Sequence, residues 1–264
     1  MQWDPAQYVR YADERGRPFV DLVARIGAVA PRRVVDLGCG PGTLTALLAE
    51  RWPSAAVEGV DSSPEMIARA VAVEGLSFWV GDVRSWTMPA DCDVLVTNAT
   101  LQWVPGHQEL LRSWAGALPA GGWLAVQVPG NFDSPSHTLM RSLATSARWA
   151  PLVGDVLRHA DAVGSPEDYA RLLLSCGLQV QAWETTYLHV LAGADPVLEW
   201  VRGTGLRPVL AALADQAADV DGRAVPAADA FEAQYAAALR SAYPRTVHGT
   251  LFPFRRVFAV AHKP

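Results

Sequence analysis

Lysine is almost missing: of the 22 basic residues only Lys263 is a lysine, and all the others are arginine. The plain reading of that imbalance is codon bias in a GC-rich genome, which the alanine and proline content suits. Its consequence is chemical. An internal cation that binds an anion has to be a guanidinium or a histidine, and catalysis through a lysine Schiff base is excluded. Charge is also scarce, at 19% of 264 residues with a formal net charge of −5. No basic face exists to neutralise phosphates, so nucleic acid is not an expected partner. Cys39, Cys92 and Cys176 are odd in number, widely spaced and without a CxxC. That argues against a disulfide framework or a zinc site and fits a reducing cytoplasm. Met1-Gln-Trp-Asp-Pro5 shows no basic patch leading into an apolar run, so no secretory signal is expected. No stretch approaches the ~20 apolar residues of a spanning helix, so no membrane is expected either. GxSxG, HExxH and P-loop patterns are absent, and no metal site is expected.

What is present is apolar bulk, 50% of the chain, enough for one large α/β domain with an elaboration. Short apolar runs alternate with helical stretches from Arg32 to about Val128. The runs Arg33–Leu37, Ala55–Val60, Leu76–Val80, Asp93–Thr97 and Trp123–Val128 read as strands, with Pro64 opening a helix between two of them. Such alternation implies right-handed βαβ crossovers, a parallel sheet covered on both faces, and a ligand site at the carboxyl ends of the strands. Further on, 166–176 reads as a helix stopped by Gly177, and 178–190 and 251–260 as two more strands. The expected fold is therefore α/β, a doubly wound, mostly parallel seven-stranded sheet. Residues 193–249, rich in Ala, Asp and Leu, read as a helical lid inserted before the last strand. The expected domains are an amino-terminal helical segment at 1–30, a Rossmann-like body at 31–192 and 250–264, and the lid at 193–249.

Asp36-Leu-Gly38-Cys-Gly40-Pro-Gly42 joins the first strand to the first helix of that body. Glycines at every second position let the backbone turn with positive φ and approach a ligand without a Cβ. A dinucleotide fingerprint, G-x-G-x-x-G, would need glycine where Thr43 stands. Asp61 and Asp82 end the second and third strands, where carboxylates could accept from ribose hydroxyls and an adenine amino group. Helix capping is the alternative use of both. Together these features resemble motif one and its following acids in the class I S-adenosylmethionine methyltransferases. The resemblance implies S-adenosylmethionine as cofactor. It places the ribose on Asp61 with Ser62 and Met66 nearby, the adenine on Asp82 and Val83, and the methionine moiety on the backbone from Asp36 through Gly38, Cys39, Gly40 and Gly42, helped by Asn98 and Ala99.

A closer resemblance, to the trans-aconitate methyltransferases, spans nearly the whole chain. It rests on Trp3-Asp-Pro-Ala-Gln-Tyr8, Ala12-Asp-Glu-Arg15-Gly-Arg17-Pro18 and Leu101-Gln-Trp-Val-Pro-Gly-His107. It continues through Trp183-Glu-Thr-Thr-Tyr187-Leu-His189, Thr204-Gly-Leu-Arg207-Pro208 and Phe254-Arg-Arg256-Val-Phe258. Departures fall in 215–229 and 252–254 and leave the detail of the lid open. The resemblance implies carboxyl O-methylation of a small polycarboxylate. That chemistry suits the residues available, because a carboxylate is ionised at pH 7 and needs no general base. Rate then comes from alignment and from removal of water. Arginine pairs bidentately with the remaining carboxylates. The implied acceptor residues are Gln102, Trp103, Tyr187, His189, Arg207 and Arg256, with Arg17 or Arg15 available for the carboxylate of the cofactor. Several of these positions, and His107 in the same motifs, have a plainer alternative: Trp103 and His189 as core, Arg15 as helix surface, His107 as a helix start, and one of Arg255 and Arg256 as solvent-facing. Competing functions are methylation of a malonyl group on a carrier protein, a NAD-dependent oxidoreductase, and a non-catalytic cofactor-binding module. The sequence leaves monomer and homodimer both open.

Overall fold

The computed structural model describes residues 12–70, 74–157 and 162–264, with helical side chains from residue 16 onward. The Trp3–Tyr8 motif and the Arg15 side chain lie outside the described residues. The chain forms two compact units, the first being Met1–Gly130, Val163–Thr185 and Arg256–Pro264, the second Asn131–Ala162 and Thr186–Arg255. The stretch 193–249 falls inside the second unit, together with 131–162 and portions of two long strands.

In the first unit, β1 (Arg33–Leu37), β2 (Ala56–Asp61), β3 (Leu76–Val80), β4 (Cys92–Asn98) and β5 (Trp123–Pro129) pair in parallel. The sheet order is β3-β2-β1-β4-β5-β10-β6, where β6 is Gln179–Leu191 and β10 is Gly249–His262. β10 runs antiparallel to β5, with Arg256 opposite Pro129 and Phe258 opposite Gln127. Val34, Val35, Val94, Leu95, Leu124 and Ala125 are wholly buried, as expected of strands sandwiched between two helical layers. One layer is α4 (His107–Ala117) with α7 (Pro166–Ser175), whose Leu111, Trp114, Tyr169 and Leu173 share a core with Val35, Leu95, Val126 and Val257. On the other face α1 (Ala12–Val23) packs against β5. Just beyond α1, Gly27 lies so close to Trp123 that a Cβ there would sit 2.7 Å from the indole. α2 (Thr45–Arg51) follows the glycine turn, and α3 (Pro64–Ile67) starts at the expected proline, with Ser63 capping the Met66 N–H at 3.2 Å. A capping box of Ser165 and Asp168 opens α7, and Gly177 at φ 81° ends its turn.

The second unit contains α5 (Pro135–Ala144), α6 (Ala150–Val153), α8 (Pro196–Arg202), α9 (Arg207–Leu213) and α10 (Ala227–Ala242). Trp149, Trp200, Phe231, Tyr235 and Phe252 are buried in its core. Ser136 fastens α5, donating its N–H to the Tyr243 hydroxyl at 3.0 Å and accepting from Tyr235 with its carbonyl. The helical reading of 193–249 fails at two places, a hairpin and a short strand near its end. Ala217–Val220 (β7) and Arg223–Pro226 (β8) form an antiparallel hairpin. Its two-residue turn puts both Asp221 (φ 52°) and Gly222 (φ 77°) in the left-handed region. Asp-Gly is the pair that such a turn selects, and it outweighs the alanine content around it. A two-residue strand, β9 (Arg245–Thr246), adds to the edge of β10. Among the described residues no helix is long and apolar enough to cross a membrane.

Candidate active site

The turn after β1 is built for close approach. Gly38, Gly40 and Gly42 all have positive φ, at 81°, 57° and 76°. A Cβ on Gly38 would overlap the Thr100 side chain, and one on Gly42 would overlap the Phe78 ring. At Gly40 nothing lies within 4 Å, so its missing side chain faces open space. Gly38 and Cys39 donate their N–H groups to Val60 O at 2.7 and 3.1 Å, locking the turn onto β2. The Cys39 thiol packs toward Gly59, where a Cβ would come within 2.9 Å of its sulfur. Burial pushes that thiol's pKa up, so it is no nucleophile. Asp36 is buried beneath the turn and accepts from Thr45 Oγ1 at 2.7 Å. Burial raises its carboxyl to about 7, with the Asp61 charge acting in the same direction and the Thr45 bond against it.

Asp61, at the end of β2, takes the Gly40 N–H on Oδ2 and the Ser63 N–H on Oδ1, each at 2.9 Å. It is half-buried, and each oxygen keeps a lone pair. Beside it Ser62 is exposed and Met66 is buried. Asp82, just past β3, is held by its near neighbour. The Arg84 N–H and Nε reach Oδ1 at 2.9 and 3.0 Å, and those bonds lower the carboxyl to about 2. Val83 between them is buried.

The segment after β4 is held by several hydrogen bonds. Ala99 has φ 54°, unusual for a residue with a Cβ and typical of functional sites. Its N–H donates to Gln127 O at 2.9 Å, and its carbonyl accepts from Gln102 Nε2 at 2.6 Å. Thr100 Oγ1 reaches Asn98 O and Gly38 O at 3.2 and 3.4 Å, joining this segment to the glycine turn. Leu101–Trp103 is a short 3-10 helix with Gln102 buried and Trp103 half-buried. Asn98 Oδ1 and both amide atoms of Gln127 are buried without a hydrogen-bond partner. Each such atom costs about 1–3 kcal/mol. Sequence reasoning passed over Gln127, although a glutamine within Trp123-Leu-Ala-Val-Gln-Val128 was the available signal. These orphaned amides, the open face of Gly40 and the acid at the end of β2 fit a polar, nucleoside-bearing ligand such as S-adenosylmethionine.

Among the other expected residues of the first unit, Arg256 is buried on β10 at the carboxyl end of β5; its chain neighbour Arg255, the last residue of the second unit, is half-exposed. Arg17 is exposed on α1. His107 starts α4, as its plainer reading held, with its ring buried and its Nε2 2.8 Å from the Tyr169 hydroxyl. Within the second unit, Tyr187 and His189 share one face of β6, ring centroids 6.4 Å apart. His189 is buried and stacks on Trp200 at 4.8 Å. Arg207 is half-buried at the first residue of α9. Among the described residues no cluster of three or more His, Cys, Asp or Glu is placed to hold a metal ion.

A family model described as a methyltransferase domain matches residues 8–182. The chain is 56% identical over 270 residues to the trans-aconitate 2-methyltransferase of Streptomyces avermitilis, covering 99% of this chain and 97% of that one. It is 55% identical over 261 residues to the enzyme of the same name from Mycobacterium sp. strain KMS, covering 98% of each. Among solved structures, the YcgJ protein of Bacillus subtilis gives a TM-score of 0.55 at 16% identity, over 94% of this chain and 98% of that one. Phosphoethanolamine N-methyltransferase 2 of Haemonchus contortus, solved with S-adenosylhomocysteine, gives 0.53 at 15% identity over 94% and 53%. At such identities the two structures speak for the fold.

Proposed function

Because the chain belongs to the trans-aconitate 2-methyltransferase family, we propose that it esterifies one carboxylate of trans-aconitate with the methyl group of S-adenosylmethionine. The products are the monomethyl ester and S-adenosylhomocysteine. The observation that carries this reading is similarity over 99% of the chain. It takes in 193–249, where acceptor specificity is expected, as well as the glycine turn. S-adenosylmethionine supplies an electrophilic methyl group on a sulfonium. Every other role falls to the chain. Asp61, with Ser62 and Met66, holds the ribose, and Asp82 with Val83 holds the adenine. The backbone of Asp36–Gly42 with Asn98 and Ala99 holds the methionine moiety, and Arg17 takes its carboxylate. Gln102, Trp103, Tyr187, His189, Arg207 and Arg256 position the acceptor, and 193–249 acts as the lid segment that sets acceptor specificity.

No residue needs to act as a base, since the attacking carboxylate is already ionised. The cationic side chains pair with the carboxylates that are not methylated, which fixes the orientation of the third. The Cys39 and Cys92 thiols, buried and free, suit a reducing cytoplasm. Labelled S-adenosylmethionine offered with free trans-aconitate or with a malonyl thioester tests the reading. Label in a trans-aconitate ester supports it. Label in the malonyl thioester alone, with trans-aconitate untouched at millimolar concentration, sinks it.

A further inference from the structure

Side chains alternate across a strand, and the pairing registers place Asp36, Asn98 and Gln127 on one face of the sheet. Asp36 is opposite Val96, two residues before Asn98, and Asn98 is opposite Gln127. Gln127 is wholly buried, yet neither its Nε2 nor its Oε1 has a hydrogen-bond partner, and Asn98 Oδ1 also lacks one. Folded proteins pair nearly all such atoms. Between Val126 and Val128 on a central strand, an aliphatic side chain would fill the same volume without the loss. On the β10 side the register partner is Phe258, stacked against Trp183 at 4.7 Å. The unmet polar demand therefore adjoins Asn98, at the strand ends beside the glycine turn.

We propose that Gln127, together with Asn98, binds the amino-acid head of S-adenosylmethionine. Their unpaired atoms are two oxygen acceptors and one amide donor. An α-amino-acid head presents N–H donors and a carboxylate acceptor on neighbouring atoms and answers both kinds. An ionised polycarboxylate brings acceptors alone and leaves the two oxygens unmet. Asp36, on the same face, adds negative charge on the side that meets the ammonium. The proposal rests on S-adenosylmethionine as methyl donor and is independent of which acid is methylated.

The test uses Gln127→Met, which keeps the volume and removes the polar atoms. Equilibrium binding is measured for S-adenosylhomocysteine and for 5′-methylthioadenosine, which lacks the head. The expected result is an affinity for S-adenosylhomocysteine lower by about tenfold or more, with methylthioadenosine unchanged. The melting temperature of the ligand-free variant is expected to stay level or rise. Equal loss for both ligands assigns Gln127 to structure and overturns the proposal. So does unchanged binding of both with a raised KM for trans-aconitate, which makes Gln127 an acceptor residue. If the Met variant folds poorly, Gln127→Glu is read by the ratio of the same two constants: a changed ratio supports the contact and a fixed one refutes it. Wild-type protein that binds S-adenosylhomocysteine but leaves trans-aconitate unmethylated removes the acceptor reading and leaves this one standing.

Discussion

The hydroxyl of Thr45 donates to the buried carboxyl of Asp36 at 2.7 Å, in place of the water that burial removed. Burial sets that carboxyl near 7, above its ordinary 3.8. A carboxyl raised on folding stabilises the folded chain fully below the ordinary value, and that contribution is lost as pH climbs through the raised one. Ligand-free protein is therefore expected to lose melting temperature between about pH 4 and pH 7, and Asp36→Asn to flatten the slope. S-adenosylhomocysteine, whose ammonium favours the ionised carboxyl, is expected to release part of a proton on binding near pH 7. Calorimetry in two buffers of different ionisation enthalpy measures it, and no release would count against an ammonium beside Asp36.

The three glycines of the turn separate folding from binding. Gly38→Ala drives a methyl into Thr100 and is expected to cost at least about 2 kcal/mol in denaturant unfolding. Gly40→Ala meets open space and only the backbone penalty, about 1–2 kcal/mol. Its affinity for S-adenosylhomocysteine is nevertheless expected to fall more than about tenfold, because the methyl occupies the approach to the turn. A folded Gly40→Ala that binds normally would move the cofactor away from this loop.

Asp61 joins the turn to the next strand through the Gly40 and Ser63 N–H groups. Asp61→Ala leaves both donors unpaired and removes the proposed ribose acceptor. The expected losses are about 1–3 kcal/mol of stability and about tenfold to hundredfold in S-adenosylhomocysteine affinity. Unchanged affinity, read by titration calorimetry, would remove Asp61 from the ribose.

For the acceptor, Arg207→Ala and Arg256→Ala are each expected to raise KM for trans-aconitate by about tenfold or more while the S-adenosylhomocysteine constant moves less than about twofold. Arg256→Lys keeps the charge but not the planar fork, and is expected to recover only part of the loss. Steady-state kinetics beside a binding titration checks both, and equal damage to donor and acceptor binding would take that arginine out of acceptor recognition.

Features carried by local chemistry were legible in the sequence. The alternation of strands and helices, the glycine turn, and acids at the ends of β2 and β3 each follow from a few adjacent residues. The 217–226 hairpin is equally local, but Asp221-Gly222 lies inside an alanine-rich stretch whose average composition points to helix. Gln127 is a different case. Its meaning depends on which strand lies beside it, since only the register with Asn98 turns an isolated glutamine into half of a pair. The Arg84 clamp on Asp82 was within reach two residues away, yet nothing in the sequence distinguishes it from an ordinary surface arginine.

The position of β10 has a cost during synthesis. β5 is complete by Pro129, but the part of β10 that covers its outer edge, Arg256–His262, is made only after the whole second unit. Until then a ribosome-bound chain carries β5 as an open edge of mostly apolar residues, ready to pair with a neighbouring chain. Slow elongation or arrest anywhere before β10 is thus the interval in which this protein is exposed to aggregation, and the interval in which a chaperone has most to protect.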